Sequence, residues 1–243
     1  MNVPAAIVVV AMSEEGAPFL AAAESSTELP LRCRAFELSV PGGPVWLVQC
    51  GIGMVAAAKA LTQALEHLAV RFPGTRIPVI SAGTAGGLGE MVEVRDVCVS
   101  RELAYSEADA RVFGYELGQL PGQPARFHAD AELVDTCVDF AAEVQGDLNP
   151  SAGVFFGLML TGNSFVMADT AQAVRDAFPG AISVDMESVA LAQVARDYEL
   201  PFVSVRGVSD LCGPAAGQDF HVGADVAAAR SAAMVLELIR RRA

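Results

Sequence analysis

Short apolar runs that do not alternate with polar residues recur along this chain, and they constrain its fold more than any other feature. They are Ala6–Val10, Val45–Gln49, Val79–Ser81, Val97–Ser100, Phe155–Leu160, Ala181–Val184 and Phe202–Val205, with Arg34–Leu38 as a weaker candidate. A strand with one wet face alternates, whereas a strand covered on both faces reads as a continuous apolar run. Longer segments between the runs carry helical spacing: Met54–Leu68, Ala131–Val144, Thr170–Ala177, Glu187–Tyr198 and Ala224–Arg240. In the first of these, Val55, Ala58, Leu61, Thr62 and Leu65 form an i, i+3, i+4 stripe; in the last, Ala228, Ala232, Val235 and Ile239 do the same. Strands alternating with helices predict an α/β fold, a sheet with helices on both faces. The 243 residues, 53% of them hydrophobic, suit one large domain spanning 1–243 with a sizeable core.

Charge and cysteine usage narrow the class. A formal net charge of −13 repels polyphosphate backbones, which excludes nucleic acid as an expected partner. The one basic run, Arg240–Arg242, suits the negative end of a final helix. Cys33, Cys50, Cys98, Cys137 and Cys212 are odd in number and lack zinc or redox spacing, so a reduced, cytoplasmic protein is expected. His67, His128 and His221 are scattered and propose no metal site. The first apolar run is too short to span a bilayer and lacks a basic leader, so no membrane role is expected.

The chemistry-bearing residues sit where runs end. Asp185-Met186-Glu187 and Ser209-Asp210 each follow a buried-type run, and Met12-Ser13-Glu14-Glu15 follows the first. Open α/β sheets build their sites at the carboxyl ends of strands. Acids there also serve as helix starts, and Glu14-Glu15 suits that reading as well as a base that orients a water. The glycine-rich Ser81–Gly89 reads as a tight turn that lets backbone N–H groups approach a ligand. It matches neither the dinucleotide fingerprint nor the P-loop. Leu160–Val166 leaves a strand and ends in Phe165-Val166, where an aromatic face suits a planar base. Arg101–Phe127 is a long, polar, Gly/Pro-rich segment of the kind that serves a site or an interface.

Together these pieces resemble the methylthioadenosine/S-adenosylhomocysteine nucleosidases of the nucleoside phosphorylase/hydrolase superfamily. The likeness runs through Ala11–Glu15, Gly51-Ile52-Gly53, Ala82–Leu88, Phe113–Glu116 with Gly118–Gly122, Val184–Glu187 and Val205–Asp210. It implies a mixed central sheet and hydrolysis of the N-ribosidic bond of 5′-methylthioadenosine and S-adenosylhomocysteine. In that scheme Asp210 is the general acid on adenine N7, with Ser209 beside it. Glu15 binds the attacking water, helped by Arg206 and Thr84. Glu187 accepts hydrogen bonds from the ribose hydroxyls, Met186 packs on the sugar, and Met12 lines the ribose side. Phe165 stacks on adenine and the Val166 backbone reads its edge. Phe113 and Pro121 would reach into the 5′-thio pocket of a neighbouring subunit in a homodimer. No cofactor and no metal is implied.

Elementary chemistry agrees with those roles. Departure of a purine leaves an oxocarbenium-like ribose, as in glycoside hydrolysis. A carboxyl group protonates the leaving base near neutral pH only when burial or neighbouring anions raise its pKa. The chain departs from the family pattern in Tyr105–Asp109 (often Tyr-His-Asp-Ala-Asp), in Thr161-Gly162-Asn163 (usually Ser-Gly-Asp), and in Met54 (usually Lys). Leu211-Cys212-Gly213-Pro214 after the acid is also unusual and bears on the lid over the base. Two other readings compete: an N-ribosyl hydrolase with a futalosine-like or nucleotide substrate, and a catalytically silent nucleoside-binding protein on the same fold.

Overall fold

The computed structural model describes residues 2–148, 152–213 and 216–243, with the side chains of 144–148 and 217–222 outside that description. Pro214 and the His221 side chain therefore lie outside the described residues. The expected runs become strands β1 (Ala6–Val10), β3 (Arg34–Val40), β4 (Gly43–Gln49), β5 (Val79–Gly87), β6 (Val97–Tyr105), β8 (Val154–Thr161), β9 (Ala181–Asp185) and β10 (Phe202–Asp210), joined by two strands the runs do not predict, β2 (Ser25–Glu28) and β7 (Phe127–His128). The helices are α1 (Ser13–Ala22), α2 (Met54–Arg71), α3 (Ala131–Leu148), α4 (Ala168–Ala177), α5 (Ser188–Asp197) and α6 (Ala216–Arg241).

All strands join one mixed sheet, ordered β10-β6-β8-β9-β5-β1-β4-β3-β2, with β7 added to β6. β5 also pairs with β10, so β10, β6, β8, β9 and β5 close into a ring, from which β1, β4, β3 and β2 extend as an open wing. β5 makes this possible by its length. Its first residues run parallel to β1 and β10, and its last, Gly86 and Gly87, pair antiparallel with Val184 and Ser183 of β9. Every residue of β1 and of β10 is buried, as continuous apolar runs require.

One core packs Val8, Val10, Leu47, Val203 and Val205 against Phe19 of α1, Phe140 of α3, and Met234, Val235 and Leu238 of α6. The other packs Ile7, Val9, Trp46 and Val79 against Leu61 and Leu65 of α2 and Val189 and Leu191 of α5. Helices thus cover both faces. The expected α6 stripe of Ala228, Ala232, Val235 and Ile239 is buried throughout. The expected α2 stripe is corrected. The buried face is Ala57, Ala60, Leu61, Ala64, Leu65 and Leu68, while Val55 is 82% exposed, because it sits in the first turn, beyond the core.

Three further elements differ from expectation. The glycine-rich segment is not a turn beyond a strand but the continuation of β5 to Gly87. Its glycines answer to close neighbours. A Cβ on Gly83 (φ +132°) would overlap the Glu15 carboxylate, and one on Gly86 would lie 2.5 Å from Cys212 Sγ. α1 is the helix that Glu14-Glu15 could start, and its extent is not legible because Gly16 and Pro18 inside it mask the helical pattern. β2 has no buried residue and only polar side chains, so nothing in its sequence marks it as a strand. Among the described residues, no helix is long and apolar enough to cross a membrane.

Candidate active site

The carboxyl ends of β1, β5, β9 and β10 converge on one cleft of about 190 Å³. Met12, Glu15, Thr84, Phe165, Val166, Met186, Glu187, Ser209 and Asp210 all line it. The structure therefore brings together nine of the expected site residues. Arg206 lies directly behind them, 1% exposed. Phe113 and Pro121 do not line the cleft of their own chain; Phe113, in the 3-10 turn Arg111–Phe113, is 78% exposed, and Pro121 is exposed.

Glu15 is held with unusual completeness. As the third residue of α1 it reaches back to the helix start, accepting from Met12 N (3.1 Å) and Ala11 N (2.8 Å) on Oε2. Its Oε1 accepts from Thr84 N (2.7 Å) and Thr84 Oγ1 (2.9 Å) on β5. The neighbouring Glu14 is exposed and bonded to Ser13 Oγ at 2.9 Å, so the two glutamates divide into a helix-start residue and a site residue.

Glu187 is the N-cap of α5 and 4% exposed. Its Oε1 accepts from Gly53 N (2.8 Å), and its Oε2 lies 3.4 Å from Arg206 Nη2. Burial pushes its pKa up to about 7; Asp185 and Glu15 add to the rise, while Arg206 and the Gly53 N–H oppose it. Arg206 also donates to Ser81 Oγ (2.8 Å), Ser188 Oγ (3.2 Å) and Thr84 O (3.3 Å). Its Nε faces Asp185 Oδ2 at 3.3 Å, and its Nη1 stands 4.0 Å from Glu15 Oε1. Burial works against its charge, but Asp185, Glu187 and Glu15 more than offset this and raise its pKa. One guanidinium thus serves three buried carboxyl groups.

Asp210 closes β10 and is 1% exposed. It accepts from Ser209 Oγ (3.0 Å) on Oδ2 and from Cys212 N (2.9 Å) on Oδ1. Cys212 adopts a left-handed backbone (φ +53°), which turns its N–H back to the acid, and its thiol, pushed up to about 12 by burial and by Asp210, lines the cleft as a neutral group. The segment carrying Phe165 is pinned from the long loop. Glu107 accepts from Ser164 N (3.1 Å) and Asn163 N (3.4 Å). Gly162 is needed there, because a Cβ would overlap Ser106 Oγ.

The arrangement is a buried acid and a buried, fully bonded carboxylate on one cleft, with a partly exposed aromatic at its mouth. It is equipped to hold a base, a polyol and a small nucleophile. The family model of the phosphorylase superfamily matches residues 5–240 of the chain. The chain belongs to the phosphorylase superfamily. Solved structures agree along nearly the whole length. A 5′-methylthioadenosine/S-adenosylhomocysteine nucleosidase from Neisseria meningitidis, in complex with methylthio-immucillin-A, is 33% identical over 97% of this chain and 98% of its own (TM-score 0.87). An S-adenosylhomocysteine nucleosidase from Streptococcus pyogenes, in complex with 5-methylthiotubericidin, is 28% identical over 99% and 98% (TM-score 0.88). A nucleosidase of the first kind from Colwellia psychrerythraea, in complex with adenine, is 30% identical over 98% and 95% (TM-score 0.86).

This phosphorylase-superfamily chain is accordingly an enzyme acting on N-glycosyl bonds. Two of its departures from the family pattern touch the site: Glu107 accepts from the Asn163 backbone N–H, and Thr161 donates to Asp185 Oδ1 at 2.7 Å. Ser188 on Arg206 lies outside every motif of the sequence, while Ser81 on Arg206, Gly53 on Glu187, and Ser164 and Cys212 on the cleft wall lie in stretches the sequence points to but gives no individual role. Serines in apolar runs (Ser81) and at a helix start (Ser188) were the available signal.

Proposed function

We propose that the chain hydrolyses the N-ribosidic bond of 5′-methylthioadenosine and S-adenosylhomocysteine, releasing adenine and a 5-thioribose product. The single observation that carries the reading is Glu15. From the first turn of α1, just beyond the end of β1, it presents both oxygens bonded at 2% exposure. A carboxylate so placed repels a phosphate and suits a water nucleophile. The nucleosidases similar to this chain bind adenine and adenine-nucleoside analogues, which supports an adenine leaving group.

In this reading Asp210 gives its proton to adenine N7 as the C1′–N9 bond breaks, and the bonding electrons leave with the base. Ser209 steadies the acid. Water on Glu15 forms the new C1′–O bond and passes a proton to that carboxylate. Thr84 fixes the carboxylate, and Arg206 holds the charge of the group behind it. Glu187 accepts from the 2′- and 3′-hydroxyls, orienting the sugar and placing negative charge near the developing cation. Met186 and Met12 pack on the sugar, Phe165 stacks on the base and the Val166 backbone reads its edge. Phe113, beside the likewise exposed Val112 (86%), and Pro121 would complete the 5′-thio pocket of a second copy in a homodimer.

The test is adenine release from 5′-methylthioadenosine, S-adenosylhomocysteine, adenosine and AMP by the purified protein. Fast release from the two thioether nucleosides and slow release from AMP is the expected result. Release from AMP or from another ribosyl nucleoside alone moves the assignment to that substrate. Folded protein that binds nucleosides and cleaves none is a binding protein.

A further inference from the structure

Asp185, at the end of β9, touches both halves of the site. Its Oδ1 accepts from Thr161 Oγ1 (2.7 Å), Glu187 N (3.1 Å) and Ser188 N (3.0 Å). Its Oδ2 accepts from Ser188 Oγ and faces Arg206 Nε at 3.3 Å. That Nε is buried and has no other partner. A carboxylate offers about four lone-pair directions. Five donors already surround this one, one more than Glu15 accepts, and they include the charged Arg206 at 3.3 Å, so Asp185 borders the cleft as a holder of its neighbours. Its influence runs through what it holds.

Two things depend on it. The first is the opening turn of α5, whose N–H groups at Glu187 and Ser188 it caps, so it fixes the backbone from which the Glu187 side chain projects. The second is Arg206. A guanidinium this buried needs a counter-ion, and losing one is costly. Arg206 in turn donates to the Thr84 carbonyl and stands behind Glu15. We propose that Asp185 is a positioning residue for the reaction, setting Glu187 through α5 and Arg206 through a direct ion pair, without contact to the reacting atoms. The proposal rests on the nucleosidase reading for its kinetic consequence alone; the geometry stands without it.

Charge gives the proposal a signature that a purely structural role lacks. Glu187 is faced by Asp185 from β9, Arg206 from β10, Glu15 from α1, Cys50 after β4 and the Gly53 N–H at the start of α2. The Asp185 charge is among the causes that raise its pKa. Removing that charge while keeping the shape takes away a like charge beside Glu187 and leaves Arg206 with one fewer competing anion, so Glu187 ionises at lower pH.

The experiment is Asp185→Asn, read in two ways. In kinetics, kcat/KM falls about 10²-fold, the scale of a misplaced catalytic group. The rise of kcat/KM with pH that follows Glu187 ionisation moves to lower pH, and adenine binding, which involves the Asp210 end, stays within a few-fold. In carboxyl 13C NMR of Glu-labelled protein, with Glu187 assigned from Glu187→Gln, the Glu187 titration also moves to lower pH. The NMR arm needs no turnover, so an inactive wild-type enzyme overturns the substrate reading and leaves this test intact. Wild-type kcat/KM in the variant overturns the proposal, and so does lost activity with an unmoved titration. Should Asp185→Asn not fold, Thr161→Val removes one donor to Asp185 away from the cleft. A smaller fall in kcat/KM with adenine binding kept is expected, and unchanged kinetics overturns the proposal.

Discussion

Glu187→Gln should gain stability relative to the wild type as pH rises from about 4.5 to about 8. The carboxyl group is 4% exposed, and burial lifts its pKa from 4.5 to about 7. The unfolded chain therefore ionises at lower pH than the folded one. Below about pH 4.5 both states hold the proton and the group contributes no difference. As pH rises from there through 7, folding must keep a proton on Glu187 or bury its charge, and stability is lost. At about 1.36 kcal/mol per unit, the full loss is about 3 kcal/mol, reached near pH 8. Glutamine cannot ionise and escapes this loss. Any fixed cost of an amide beside Arg206 is common to all pH values and cancels from the comparison. Urea unfolding of both proteins at pH 5 and pH 8, at equal protein concentration, should show the stability gap moving in favour of the variant by up to about 3 kcal/mol, or on the order of 10 °C in melting temperature. Activity should fall about 10²-fold, since the neutral amide no longer opposes a developing cation. A gap that is flat with pH, or that moves in favour of the wild type, would refute the claim that burial dominates this carboxyl.

Other substitutions separate roles within the site. Asp210→Asn should abolish cleavage while adenine-nucleoside binding, followed by calorimetry, stays within a few-fold; near-normal turnover would remove Asp210 as the acid. Gly83→Ala forces a side chain into a φ of +132° and places its Cβ 2.5 Å from Glu15 Cδ. Backbone strain of about 1–3 kcal/mol should leave a folded protein, while the displaced Glu15 carboxylate loses Thr84 and turnover drops at least about 10²-fold. Full activity in that variant would show that the Glu15 geometry is not needed. Phe113→Ala should raise KM for 5′-methylthioadenosine several-fold and leave adenine affinity unchanged in equilibrium binding, if a second copy supplies this ring.

Much of this molecule is legible in its sequence because burial on both faces writes an unambiguous pattern. β1 and β10 read as continuous apolar runs and are buried at every position. Position-specific detail was written elsewhere. Glu14 and Glu15 are identical in type and adjacent; only the resemblance to a family distinguishes them, and the fold shows why, turning one to solvent and the other to Thr84. The extension of β5 through Ser81–Gly87 was hidden, since glycines demanded by Glu15 and Cys212 look locally like a turn. The start of α1 was open to reading at Glu14-Glu15 but its extent was hidden by Gly16 and Pro18, and β2 was hidden by its wholly exposed polar residues. Asp185 was visible as an acid at a strand end, but its partners Thr161, Ser188 and Arg206 come from three other elements, and no sequence spacing joins them.

The proposed reaction needs a water nucleophile at Glu15 and a thioether nucleoside in the cleft. The most direct measurement is the rate of adenine release from 5′-methylthioadenosine with and without phosphate, together with the identity of the sugar product. Hydrolysis by that water gives equal rates in both conditions and a free 5-thioribose. Release that requires phosphate and yields a sugar 1-phosphate would contradict it.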